Sequence, residues 1–104
     1  MVEFNYDAEV DILVIDRESR APEEYEKSLP LGDYIVDLDQ DGEFIGLELL
    51  NASKNLPFSK EELENIKDVK LDLKESDKAT TIGLDLKYSD SRGKLSFGYG
   101  KAIA

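Results

Sequence analysis

The chain has 104 residues, enough for one domain (1–104) with a modest core, and its 24 acidic and 13 basic side chains give a net charge of −11. That charge repels phosphate backbones and anionic headgroups, so nucleic acid and membrane surfaces are excluded as expected partners and a basic protein or a cation suits better. With no cysteine and no histidine, disulfides, thiol catalysis, thiolate metal sites and the commonest general base are all absent.

Val2, Phe4 and Tyr6 alternate with polar residues, as do Leu13 and Ile15 after a loop at residues 7–10. This predicts a hairpin with Phe4 facing Leu13 and Val2 facing Ile15. Ile12 and Val14 make the second strand apolar on both faces, the pattern of a central strand. Residues 17–32 turn polar around Pro22, Pro30 and Gly32, which reads as a surface connection with room for a helical turn near Pro22.

The stretch from Asp33 to Ser53 holds the clearest hairpin. With Asp41-Gly42 as a two-residue type I′ turn, Leu38 pairs with Ile45, Val36 with Leu47 and Tyr34 with Leu49, an unbroken apolar face. The other face sets Asp37 against Gly46, Asp39 against Phe44 and Ile35 against Glu48. Asn51 to Asn55 reads as a turn. One helix follows from Ser59 to Ile66, with Ser59 as N-cap, Glu62 completing a capping box and Phe58 positioned to staple onto Leu63.

From Asp68 to Tyr99 the alternation is that of a three-stranded meander. Its stripes are Val69, Leu71 and Leu73; then Ile82, Leu84, Leu86 and Tyr88; then Leu95, Phe97 and Tyr99. Turns are expected at Asp77-Lys78 and at residues 90–93. The hairpin at 36–49 and the one at 71–86 echo each other, which convergence on period two accounts for. The expected fold class is α+β: mainly antiparallel hairpins and a C-terminal meander, about seven strands, with one short helix. If the sheet is open, the last strand is an edge whose self-pairing predicts a homodimer.

Asp37-Leu38-Asp39-Gln40-Asp41-Gly42 with Glu48 has the spacing of an EF-hand calcium loop. An EF-hand needs a helix on each side, whereas Pro30 and Gly32 interrupt the approach and the exit alternates like a strand. The hairpin reading is therefore preferred. A weaker divalent-cation site on the hairpin, drawing on Asp37, Asp39, Asp41 and Glu48, is the second reading. No nucleophile elbow, phosphate-binding loop or dinucleotide fingerprint is present, so no catalytic residue and no cofactor is nominated.

The blocks from Tyr6 to Ile15, from Asp37 to Gly42 and from Ile45 to Ser53 together resemble the small prokaryotic domain-of-unknown-function family 2283. That family's pattern is Y-D-x-E-x-D-x-L-x-I, an acidic D-G turn, then G-I/L-E-I/L-L-x-A-S. The resemblance covers the first half of the chain (1–53); residues 54–104, the helix and meander, are additional, and Val14 stands where an aromatic is usual. It implies a compact strand-rich domain without an established activity, and a role for some relatives as neutralising partners of small toxin-like proteins.

On the residues themselves, Asp7 caps the first loop, Asp11 begins the returning strand and Ser53 hydrogen-bonds at a strand end. Glu48, among Leu47, Leu49 and Leu50, needs a partner if it is buried. The expected function is a cytoplasmic, non-catalytic protein-interaction domain with a basic partner. A cation-binding module comes second, and a carboxylate-dependent enzyme last.

Overall fold

The computed structural model describes residues 2–17 and 27–100. In chain order these form β1 (Val2–Asp7), β2 (Ile12–Arg17), β3 (Lys27–Leu31), β4 (Tyr34–Leu38), β5 (Phe44–Leu49), α1 (Ala52–Asn55), α2 (Lys60–Glu64), β6 (Asp68–Glu75), β7 (Ala79–Tyr88) and β8 (Ser91–Gly100). All pairings are antiparallel: a five-stranded sheet in the order β1-β2-β5-β4-β3 and a three-stranded sheet in the order β6-β7-β8. Strands dominate, with eight rather than seven among the described residues.

The additional strand is β3, within what reads in sequence as a surface connection. Leu29 and Leu31 alternate onto the inner face opposite Val36 and Tyr34. Pro30 lacks an N–H, yet among the described residues β3 pairs only with β4, so at an edge position the missing donor costs little. The helical turn expected near Pro22 lies outside the described residues.

The first hairpin keeps the expected faces but not the expected register: Phe4 faces Ile15, Tyr6 faces Leu13 and Val2 faces Arg17. A two-residue shift leaves every side chain on its own side of the sheet, so alternation cannot detect it. The turn decides the matter. Asp7 pairs with Ile12, Asp7 Oδ1 accepts the Glu9 N–H at 3.0 Å, and Asp11 closes the loop at φ 56°. Strand β2 is internal, but the middle of the sheet is β5, whose Phe44, Ile45, Gly46, Leu47 and Leu49 are all buried.

Along β4 and β5 the pairs Tyr34–Leu49, Ile35–Glu48, Val36–Leu47 and Asp37–Gly46 stand as expected. At the tip the register shifts, and Leu38 pairs with Phe44 instead of Ile45. The turn is not type I′. Asp39 N–H donates to Glu43 O at 3.0 Å and Gly42 N–H to Asp39 O at 3.0 Å, and of the turn residues only Gly42 has a positive φ, 79°. This is a three-residue turn with a glycine bulge. It is held by Asp39 Oδ1, which accepts the N–H groups of both Asp41 and Glu43 at 2.9 Å.

Residues 52–55 are helical, not a bare turn. Asn51 adopts φ 51°, and the Asn55 amide donates to Leu50 O at 3.0 Å and Asn51 O at 3.2 Å, which ties the turn into α1. Helix α2 is shorter than Ser59–Ile66, but its capping box is complete: Ser59 N–H donates to Glu62 Oε1 at 3.0 Å and Glu62 N–H to Ser59 Oγ at 3.2 Å. Neither helix is long and apolar enough to cross a membrane.

In the meander the three stripes share one face, with Leu71 opposite Leu84 opposite Leu95 and Leu73 opposite Ile82 opposite Phe97. Its second turn is Ser89-Asp90, with Ser89 at φ 52°, so residues 91–93 belong to β8 instead of the loop. The inner faces of the two sheets pack together in one apolar cluster that includes Leu13, Ile15, Val36, Leu47, Ile82 and Leu86, with Ala52, Leu56, Phe58 and Leu63 from the helical stretch. Tyr34 and Phe97 stack across the sheets, ring centres 4.5 Å apart.

Candidate functional site

The family-like blocks converge on one carboxylate. Asp11, 8% exposed, accepts the Tyr6 hydroxyl at 2.6 Å and the Ser53 N–H at 3.0 Å on Oδ1, and the Ser53 hydroxyl at 2.7 Å on Oδ2. Its main-chain carbonyl also accepts the Ala52 N–H at 3.0 Å. Asn51, at the N-cap position of α1, makes no side-chain capping bond, so the helix start is capped from a distant loop. Asp11 therefore closes the first turn and caps α1 instead of beginning β2.

Burial pulls the Asp11 carboxyl up, but the hydrogen bonds from Tyr6 and Ser53 and the charge of Lys60 outweigh it and hold it below its ordinary 3.8. Burial and the bond to Asp11 push the Tyr6 phenol above its ordinary 10.0. Every polar atom of this triad that donates is committed to Asp11. The arrangement is a structural lock.

The four hairpin carboxylates do not assemble. Asp37 is buried and accepts the Ser28 hydroxyl from β3 at 2.8 Å, while Asp39 is folded onto its own turn. Asp41 is exposed at the tip, and half-buried Glu48 lies down β5 between Val14 and Ile35. Among the described residues no group of three or more acidic side chains is placed to hold a metal ion.

The hairpin tip does border a cleft of about 400 Å³, together with the far end of the meander. Leu29, Leu38 and Tyr99 give it apolar walls, and Asp41, Glu43 and Glu75 face it with Lys27 as the one basic residue of its lining. Arg92 and Asp85, 3.2 Å apart, form an ion pair elsewhere, and none of the cleft's charged groups is paired among the described residues. Tyr99 is 6% exposed, and its hydroxyl, sealed from solvent, makes no well-formed hydrogen bond among the described residues. The Thr80 hydroxyl, on the residue paired with Tyr99 in β7, pulls the phenol down. Burial and the charges of Glu75, Asp39 and Glu43 still push the phenol above 10.0.

This cleft draws on residues from four separate segments, and sequence reasoning misses it. The available signal was a tyrosine ending an otherwise aliphatic and phenylalanine stripe, where a hydroxyl enters the core and requires a partner.

The protein is thus a strand-dominated α+β fold whose first sheet is fastened by Tyr6, Asp11 and Ser53. Residues 3–53, the first half of the chain, match the model of the family described as protein of unknown function (DUF2283), the family that the three sequence blocks resemble. An uncharacterised protein of Methanocaldococcus jannaschii is 37% identical over 62 residues, a stretch that covers 60% of this chain and 51% of that protein. The match thus spans about half the length of that relative. No solved structure matches the chain.

Proposed function

We propose that the protein is a small non-catalytic interaction domain that takes a basic protein partner, of the kind that neutralises a toxin-like protein. The reading is carried by the outer face of the five-stranded sheet. Asn5, Val14, Glu48, Ile35 and Pro30 form one row across all five strands. Val14 and Ile35, with Ile12 beside them, are only half-buried and stay outside the core cluster.

Aliphatic side chains surrounding a carboxylate on an open sheet give area for contact and a charge for orientation. A basic side chain of the partner would pair with Glu48 while its apolar neighbours cover Val14 and Ile35. The overall charge of −11 steers such a partner in. The test is affinity capture from native lysate with the wild type and with Glu48→Lys and Val14→Lys variants whose circular dichroism is unchanged. A basic protein retained by the wild type, lost from both variants and released as salt rises supports the reading; capture indifferent to both variants and to salt overturns it.

A second copy of the chain is a further occupant, of a different surface. Among the described residues strand β8, ten residues long, pairs only with β7, so one row of its backbone groups is open there for self-pairing. Light scattering across a concentration series tests this: a dimer mass abolished by proline at Ser96 supports it, and a monomer at high concentration counts against it.

A further inference from the structure

We propose that β6 is a self-recognition edge: two copies of the chain pair their β6 strands antiparallel, about a two-fold axis at Leu71. Among the described residues β6 pairs only with β7, so the backbone groups on its other side are open there. This is the opposite edge of the meander from β8, and the inference is independent of the outer face of the five-stranded sheet.

The observation is a symmetry within the strand. Residues 67–75 read Lys-Asp-Val-Lys-Leu-Asp-Leu-Lys-Glu, and every charge is inverted at the position equally far on the other side of Leu71. In a two-fold contact residue i meets residue j and j meets i, so each pair occurs twice. Centred on Leu71, Lys70 meets Asp72 of the second copy, Asp68 meets Lys74 and Lys67 meets Glu75, opposite charges throughout. On the inner side Val69 meets Leu73 and Leu71 meets its own counterpart, apolar against apolar.

The same charges reject the neighbouring registers. A slip of one residue sets inner side chains against outer ones. A slip of two keeps the faces but puts Lys70 against Lys74 and Asp72 against itself, or in the other direction Asp68 against Asp72 and Lys70 against itself. Like charges directly opposite are destabilising, so an edge guarded by charge against arbitrary pairing still admits this one partner. The other edge strands lack the complement: β1 carries Glu3 and Asp7, β8 carries Arg92 and Lys94, and β3 carries Lys27 alone.

Burial agrees with the pattern. Asp68, Lys70, Asp72 and Lys74 are exposed, and none is in an ion pair among the described residues; Asp85, which faces Lys70 in β7, pairs with Arg92 instead. Leu71 and Leu73 belong to the inner face yet are only half-buried, and a second β6 laid alongside covers what the edge leaves open.

The test is a charge exchange in the full chain, followed by light scattering across a concentration series. The net charge of −11 on each copy opposes association while salt weakens both that repulsion and the local pairs, so the exchange and not the salt dependence is the readout. Asp72→Lys and Lys70→Asp, each with unchanged circular dichroism, should weaken the dimer about tenfold or more, because each turns two attractive contacts into two repulsive ones. Mixed one to one, the two variants become complementary again and should form a heterodimer. Where Lys70→Asp disturbs the fold through Asp85, Lys74→Asp mixed with Asp68→Lys makes the same exchange one row further out. Amide NMR of the wild type should place the concentration-dependent shifts in residues 67–75. A monomer throughout, a dimer indifferent to Asp72→Lys, folded variants whose mixture stays monomeric, or a dimer abolished by Ser96→Pro in β8 overturns the proposal.

Discussion

Asp11 and Ser53 stand 42 positions apart and are joined by two hydrogen bonds, from Ser53 N–H at 3.0 Å and Ser53 Oγ at 2.7 Å. The bond pair closes the whole family-like stretch on itself: the first turn meets the start of α1 at one buried carboxylate. Replacing Asp11 by Ala leaves the Tyr6 hydroxyl and the Ser53 groups without their acceptor, at an expected cost of about 2 to 3 kcal/mol. Ser53→Ala keeps the main-chain bond and should cost about 1 kcal/mol. Urea unfolding of both single variants and the double variant checks this, and additive losses would show that the two residues are not coupled.

The same lock sets a pH dependence at both extremes. Asp11 is depressed below 3.8 in the fold, so its contribution is complete above that value and is lost as pH falls through the folded value. Tyr6 and Tyr99 are raised above 10.0, so their contribution is complete below pH 10.0 and disappears as pH climbs through their folded values. Thermal midpoints should be flat between these limits. Tyr6→Phe should start lower and lose less on the alkaline side, with tyrosinate absorbance marking the phenols that ionise only on unfolding.

Two glycines separate backbone cost from steric cost. Gly42 has φ 79° and open space where a Cβ would stand, so Gly42→Ala should cost only the left-handed backbone, about 1 to 2 kcal/mol. Gly93 has ordinary backbone, but a Cβ there would meet the Phe58 ring at 2.6 Å and Pro57 at 3.0 Å. Phe58 is buried and has nowhere to retreat, so Gly93→Ala should cost about 3 kcal/mol, the upper end for overpacking. Equal denaturation midpoints for the two variants would contradict this assignment.

Calcium provides a sharper test of the hairpin. Coordination in the EF-hand manner requires Asp37, Asp39, Asp41 and Glu48 around one ion, but Asp39 already accepts two N–H groups of its own turn and Glu48 lies down the strand between Val14 and Ile35. Calorimetry at neutral pH and moderate salt should show no binding tighter than about 10⁻⁴ M. Tighter binding, abolished by Asp37→Ala and Glu48→Ala alike, would mean that the turn refolds around the ion.

Period-two alternation was enough to place seven of the eight strands and the inner face of each, because burial on one side is written at every second residue. It was blind to whatever leaves that parity intact. The first hairpin's two-residue register shift and the slip of Ile45 past Leu38 were set by Asp7 and Asp39 accepting nearby N–H groups, contacts too local for a hydrophobic pattern to report. Strand β3 was hidden by Pro30, whose punctuation is a strong loop signal unless the strand is known to be an edge. The roles of Asp11 and Ser53 could be read only as separate local bonds, since their meeting depends on β2 pairing with β5. The cleft at Tyr99 was unreadable for the same reason, with walls contributed by four stretches of chain.

The five strands β1 to β5 all fall within residues 2–49, yet the apolar side they present, from Leu13 and Ile15 to Val36 and Leu47, is roofed by strands that begin at Asp68. The family-matched stretch is therefore half of a sandwich. A polypeptide that carried it without such a meander would display a greasy wall to water and would have to borrow a roof, from another part of its own length or from a neighbour. Cutting this chain after Ser53 should accordingly yield aggregates or a tightly associated oligomer. Supplying residues 54–104 as a separate fragment should restore a soluble one-to-one pair.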